Sequence, residues 1–583
     1  MEASREAQEL RQPDLYRRMV NPRLFVMSAI LLTVGAYLIL PIVLVFVISF
    51  NVARHPFVGE RIWGLDNWRL AFTQPDILGS ILNTFVVWGL TLVISLPIAV
   101  LISWVLARTR IKWSNGIEFM FWVSYMMPNL ATTLGWIMLM DPNYGALNKL
   151  VNLLPLTDFS RGPFNIFSMQ GIVWANLMGN GLSLKVMLLT PAFRNMDVSL
   201  EEAARVSGAS NFRTMLRVTF PLMAAPITLV LALQLVRVFQ SFETELLLGT
   251  PTGFFVFSTR VYELVHREIP LYGAATALAS ITIIVIAVII PIQRWILQRR
   301  RYTTISSGFK PGLIDLGALK YPVTLGIWFL ILMLTVLPVA FLLLGSFMTR
   351  AGFFTLNPVF TFRHWDIVLT DSLFINAVRN TFFLGVVAAI VSPLLFSLFA
   401  YIIVRTRLPG RGLLDTIIWS SAAIPGILTG LGLLVMFLGT PGLSAVYGTI
   451  WALVIVVVIQ GKTTGVNVLK GVFVQVGQDM EEAARVSGAG WFRTYYQIWI
   501  PLMMKSLVLV GTLSFVVATT STSSVILLAS RDSVLLSILA IDYRLSGGKQ
   551  EAASIVTIIL LLLSVGAASL LRAFGMQMGV RHQ

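Results

Sequence analysis

The residues able to do chemistry stand in two settings. The first is a polar run inside an otherwise apolar stretch: Gln234, Arg237, Gln240, Ser241 and Glu243. At an offset of 280 residues, positions 239–244 correspond to Thr519-Thr520-Ser521-Thr522-Ser523-Ser524. Charged groups within a membrane span are costly and mark solute or ion routes. Ser and Thr there also serve helix-to-helix hydrogen bonding, so both readings stay open for the hydroxyl run. For Arg237 and Glu243 the route is favoured, with mutual pairing as the alternative. The candidate route is Arg237, Gln240, Glu243, Thr519, Thr520, Thr522 and Ser523. The second setting is Glu201-Glu202-Ala203-Ala204-Arg205-Val206-Ser207-Gly208-Ala209, which returns word for word at 481–489.

Neither setting is an enzyme site. The chain has no cysteine, which removes disulfides, thiolate metal sites and cysteine nucleophiles together. Its four histidines, His55, His266, His364 and His582, are scattered, against the clustering a metal site needs. Gly461-Lys462-Thr463-Thr464 resembles the end of a phosphate loop, but the glycine required five residues before the Gly-Lys pair is Val456. It reads as a chance match, and any ATP must be bound by another chain.

The elements that position these residues follow from composition. Of 583 residues, 56% are hydrophobic and 12% charged, too apolar for a set of soluble domains. A bilayer core needs about 20 apolar residues as helix. Twelve such segments are expected, near 24–50, 80–106, 117–140, 169–190, 221–248, 271–297, 321–348, 376–404, 413–439, 444–466, 501–529 and 551–573. Polar residues (Asn176, Asn180, Lys185; Gln460, Lys462) interrupt the fourth and tenth. Asn83-Thr84-Phe85 recurs as Asn380-Thr381-Phe382, and Trp68, Arg108-Thr109-Arg110 and Pro128 recur at the same offset of 297. The chain is thus a duplicated six-helix unit, and an even number of spans gives both copies one orientation. The expected division is an N-terminal tail 1–23, a first module 24–298, a linker 299–320, a second module 321–575 and a tail 576–583.

The net charge of +16 points to topology, not nucleic acid. The termini and the loops near 107–116, 191–220, 298–320, 405–412 and 467–500 carry 25 Lys and Arg, against 12 on the opposite side. That bias puts this side and both termini in the cytoplasm. Counted up a straight fifth helix from Pro221, Arg237 is expected roughly 24 Å and Glu243 roughly 33 Å from the cytoplasmic end. Arg379 and Asn380 read as interfacial anchors, and Arg299-Arg300-Arg301 as a contact for anionic headgroups.

The repeated nonamer reads as a short cytoplasmic helix with both ends specified. Ser199 and Asp479 stand at the cap position, three before Glu202 and Glu482. Glu201 and Glu481 are spaced to pair with Arg205 and Arg485, each worth about 0.3–0.5 kcal/mol. Gly208 and Gly488 provide a left-handed stop. Leu200, Ala203, Ala204 and Ser207 share a small-residue face suited to a groove on another protein. A loop helix packed on its own domain is the alternative for one copy; two such copies on one side suggest that each half meets the same partner.

Extended downstream, the pattern is Glu202-Ala203-Ala204, Gly208, Val218, Phe220, Pro221 and Glu482-Ala483-Ala484, Gly488, Ile498, Ile500, Pro501. It resembles the coupling loop of ATP-binding-cassette importer permeases, most closely the fused two-copy type of the ferric-iron, thiamine and polyamine permeases. Glu243-Thr244-Glu245-Leu246-Leu247-Leu248-Gly249-Thr250-Pro251 resembles the iron type, while the second copy has no glutamates there. The resemblance implies an all-α integral membrane protein of about twelve helices, built as two parallel six-helix repeats of the type I importer fold. It implies no enzyme and no cofactor on this chain. Two copies of a cytoplasmic ATPase, holding the ATP, would dock on Glu201, Glu202, Ala203, Ala204, Gly208 and Pro221 and on Glu481, Glu482, Ala483, Ala484, Gly488 and Pro501. An extracytoplasmic solute-binding protein would deliver the cargo, and the setting would be a bacterial inner membrane. The rival is a proton- or sodium-coupled secondary transporter, which also uses parallel repeats. Against it, the loop 107–116 lacks the glycine-rich, Asp-containing signature of the major facilitator type, and the membrane core lacks a carboxylate chain.

Overall fold

A computed structural model describes residues 22–53, 56–57, 59–153, 162–196, 199–299, 313–477 and 479–577. Most of the N-terminal tail, linker residues 300–312 and residues 578–583 of the C-terminal tail lie outside these, and with them most of the basic run and its expected lipid contact. Among the described residues the protein is all-helical, with isolated β-bridges such as Asn51 with Trp63 and Met348 with Phe360. Six helices are long and apolar enough to cross a membrane, and up to eleven spans result when each bent pair counts as one. The longest are Pro75–Arg108 and Ser372–Arg405, the second span of each module.

The third and ninth spans depart from the expected continuous helices. The third is split into Ser114–Met126 and Asn129–Met140, each roughly 20 Å long against a core of about 30 Å. The ninth is bent by 110° between its two helical parts. Pro128 and Pro425 sit at the breaks. Proline lacks an amide hydrogen and pushes the residue before it out of helical geometry; Met127 and Ile424 accordingly have ψ of 135° and 120°.

The fifth and eleventh spans are also not straight. Bends of 59° and 78° precede the helices Ala224–Val236 and Met504–Thr520. The chain then leaves the helix at Arg237 and at Ser521. Glu243 therefore does not stand two turns above Arg237; it opens a separate short helix, Glu243–Leu248. Non-helical backbone at membrane depth is tolerated only inside protein or along a cavity, and here it turns into the protein interior. The repeated Asn-Thr pair fastens the chain downstream of each exit. Asn83 donates to the Phe255 carbonyl (3.0 Å) and Thr84 accepts the Phe257 amide (2.8 Å). In the second module Asn380 donates to the Val534 carbonyl (3.1 Å) and Thr381 accepts the Leu536 amide (2.9 Å). Asn380 thus clamps this segment.

The modules interlock. A Cβ added at Gly135 would fall 2.3 Å from the Pro338 carbonyl, and one at Gly432 would fall 2.8 Å from the Pro41 Cβ. Both members of one contact are displaced by 297 residues from those of the other. The second half of each broken span therefore packs against the opposite module's first span, and glycine is needed because the backbones approach so closely. Tyr37, on the first span, donates to the Ile455 carbonyl of the second module (2.8 Å).

Candidate functional site: two loop helices and three cavities

The duplicated nonamers form the helices Ser199–Val206 and Asp479–Val486, so both expected cap residues begin the helix rather than precede it. Gly208 and Gly488 have φ of +85° and +76°. That turn lets the Ala209 amide reach the Ala204 carbonyl (3.0 Å) and the Ala489 amide reach Ala484 (2.9 Å), closing each helix.

Glu201 does not make the expected surface pair. Its carboxylate is buried, ion-paired with the equally buried Arg108 at the end of the second span, and accepts a hydrogen bond from Thr219 (2.6 Å). Arg205 reaches only the Glu201 backbone carbonyl, at 3.4 Å. A charge-assisted bond inside the protein outcompetes a water-exposed pair on the helix surface. The second module solves the same task differently. Glu481 accepts from the Trp499 indole (3.0 Å), and Trp499 occupies the position of Thr219. Arg405 donates to the Phe473 carbonyl (2.7 Å) and lies 4.9 Å from the Trp499 ring centroid.

With one glutamate drawn inward, each helix presents Leu200, Ala203, Val206 and Ser207, or Met480, Ala483, Val486 and Ser487. Val206 and Val486 are each 90% exposed. Ala204 is turned partly inward and Ala484 is buried, so the exposed face runs through Val206 and Val486 instead. Glu202, Glu482, Gly208, Gly488, Pro221 and Pro501 are exposed.

The polar run lines three cavities of about 240, 410 and 200 Å³, and Arg237 borders all three. In the first, within module one, Glu245 is buried and accepts from Asn176 (2.8 Å) and Ser241 (2.5 Å). Lys185 lines the same space and donates to the Gly181 carbonyl (3.1 Å), at the end of the π-turn Leu177–Gly181. The second lies between the modules and is lined by Gln240, Gln460, Lys462 and Ser523. Gln240 crosses to the Ala422 carbonyl at 2.8 Å, beside the Pro425 break. The third is lined by Glu243, Asn129 and Thr520.

Of the remaining route candidates, Thr522 is buried and faces Glu243 across the module boundary. Thr519 is buried and returns its hydroxyl to the Phe515 carbonyl (3.0 Å), outside the lining of these cavities. Arg237 and Glu243 share the third cavity without forming an ion pair among the described residues. The sequence reading missed Lys462. It begins the helix Lys462–Gln475 after Gly461 at φ +79° and borders the second cavity. The offset of 280 was the available signal, since it aligns Asn180-Gly181 with Gln460-Gly461 at this depth.

The family described as binding-protein-dependent transport system inner membrane component matches this chain twice, at residues 95–302 and 394–578. The putative ferric transport system permease protein FbpB 1 of Haemophilus influenzae is 24% identical over 387 residues, 65% of this chain and 59% of that protein. The ferric transport system permease protein FbpB of Actinobacillus pleuropneumoniae is 24% identical over 380 residues, 63% of this chain and 53% of that protein. The match thus spans little more than half of those relatives' length. A bacterial ABC transporter involved in the import of alginate is similar in structure over 50% of this chain, with a TM-score of 0.41 and 19% identity.

Proposed function

This chain belongs to the binding-protein-dependent transport system inner membrane components, and on that premise we propose that it forms the translocation path of an ATP-driven importer. Two copies of a separate cytoplasmic ATPase dock on the two loop helices, and an extracytoplasmic binding protein delivers a small solute to the opposite face. Ferric iron is the first cargo to test, given the names of its relatives. The observation that carries this reading is the paired presentation of Val206 and Val486, each 90% exposed on a helix whose root is buried. An apolar knob on a fixed base suits a shallow pocket on a partner. The alternative, a secondary transporter coupled to protons or sodium, is not favoured by a family defined through its binding proteins.

In this reading the push of the ATPase travels through packed contacts. A push on Ser199–Val206 reaches the second span through Glu201 and Arg108, and reaches the fifth through Thr219. Beyond the bend at Met223, the helix Ala224–Val236 carries that displacement to Arg237 and the cavities. In the second module Glu481 and Trp499 start the same route, ending at Thr520.

The absence of cysteine makes the test direct. Single cysteines at Val206 and at Val486 should each cross-link to the ATPase in membranes, and ATP should change the yield. Equal cross-linking from a cysteine on the opposite face, at Arg267, would refute the docking.

A further inference from the structure

We infer, resting on the importer reading above, that the cargo crosses this chain carrying negative charge, as an oxyanion or as a metal ion enclosed by acidic ligands. Three cations set the charge of the route. Lys185 and Arg237 border the first cavity, and Arg237 and Lys462 border the second. They come from both modules and from three separate spans: Lys185 one turn into the helix Leu182–Arg194, Arg237 at the end of Ala224–Val236 and Lys462 at the start of Lys462–Gln475. None makes an ion pair with a carboxylate among the described residues. Lys185 has a backbone carbonyl as its partner.

The carboxylates offset them only in part: Glu245 lines the first cavity against two cations and Glu243 the third against Arg237, while the lining of the second, with Arg237 and Lys462, contains no carboxylate. Cations at membrane depth without a paired carboxylate are costly, and they mark a solute or ion route. The amides of Asn180 and Gln460, at equivalent positions of the two modules, add neutral donors to the same lining. Arg237 borders all three cavities and repels a bare cation in each. Among the described residues no group of three or more His, Asp or Glu side chains is placed to hold a metal ion. A metal that travels here must therefore bring its own ligands.

The test uses the full chain with its ATPase in lipid nanodiscs and measures equilibrium binding of five probes. These are inorganic phosphate, citrate, ferric citrate, thiamine and spermidine. The anions should bind, and ferric citrate binding better than citrate would identify the metal complex as the form carried. Arg237→Gln and Lys462→Gln should each weaken anion binding about tenfold, while Arg237→Lys restores it. The inference is overturned if only thiamine or spermidine binds, if no probe binds, or if the Gln variants bind anions as the wild type does. Co-elution of the ATPase is scored separately: its loss from the wild type counts against the importer reading, and its retention without anion binding counts against the charge assignment alone.

Discussion

Arg108 and Glu201 are 93 residues apart in sequence and form an ion pair in which neither side chain has exposed surface. Their counterparts, Arg405 and Glu481, do not pair with each other; both touch Trp499. The repeated nonamer is thus identical in the two modules while its attachment is ionic in one and aromatic in the other.

Removing one member of the first attachment strands the other. Arg108→Leu should lower stability by about 3–5 kcal/mol, because it leaves a buried carboxylate unpaired. The double variant Arg108→Leu with Glu201→Leu should recover most of that loss. Thermal unfolding in detergent measures both. A double variant no more stable than the single one would show that the pair does not carry the energy.

Gly208 and Gly488 have open space around them but positive φ. A side chain would fit sterically and still be strained by the backbone, by about 1–2 kcal/mol for a left-handed residue. Valine at both positions should leave the protein inserted and abolish stimulation of the ATPase. Asparagine, which tolerates this conformation, should keep most of it. Wild-type transport by the valine pair would remove the coupling role.

Glu243 and Thr520 line the same cavity with different chemistry. Glu243→Gln removes a charge from membrane depth, whereas Thr520→Ala removes a hydroxyl already returned to the Val516 carbonyl at 2.7 Å. Uptake into vesicles should fall about tenfold for the first, equivalent to about 1.4 kcal/mol, and little for the second. Equal uptake by both would take Glu243 out of the route.

Gly135→Ala should cost about 1–3 kcal/mol by overpacking against Pro338. Gly89→Ala, with no atom near the added carbon, should be neutral or slightly stabilising within its helix. Melting temperatures of the two variants decide this.

The duplication was legible because an offset of 297 or 280 can be read without coordinates, and it located the loop helices, the prolines and the Asn-Thr clamps. What those residues do was less so. Pro128 and Pro425 were visible as repeats, yet an apolar run on both sides hid the breaks they cause. Glu201 looked like a surface carboxylate because its nearest partner in sequence is Arg205; its actual partner is brought in by tertiary packing. Lys462 resembled the tail of a nucleotide motif, and only the turn at Gly461 gives it a cavity to enter.

The contacts of Gly135 with Pro338 and of Gly432 with Pro41 have a consequence for motion. Each first span is seated on the other module's broken helix, so a rocking body must carry one span borrowed from the far half of the chain. The packing seam between the two halves therefore does not follow the join between the two copies. Dividing the gene at the linker would yield two polypeptides, and each would have to leave its leading helix in the other's keeping to rebuild this packing.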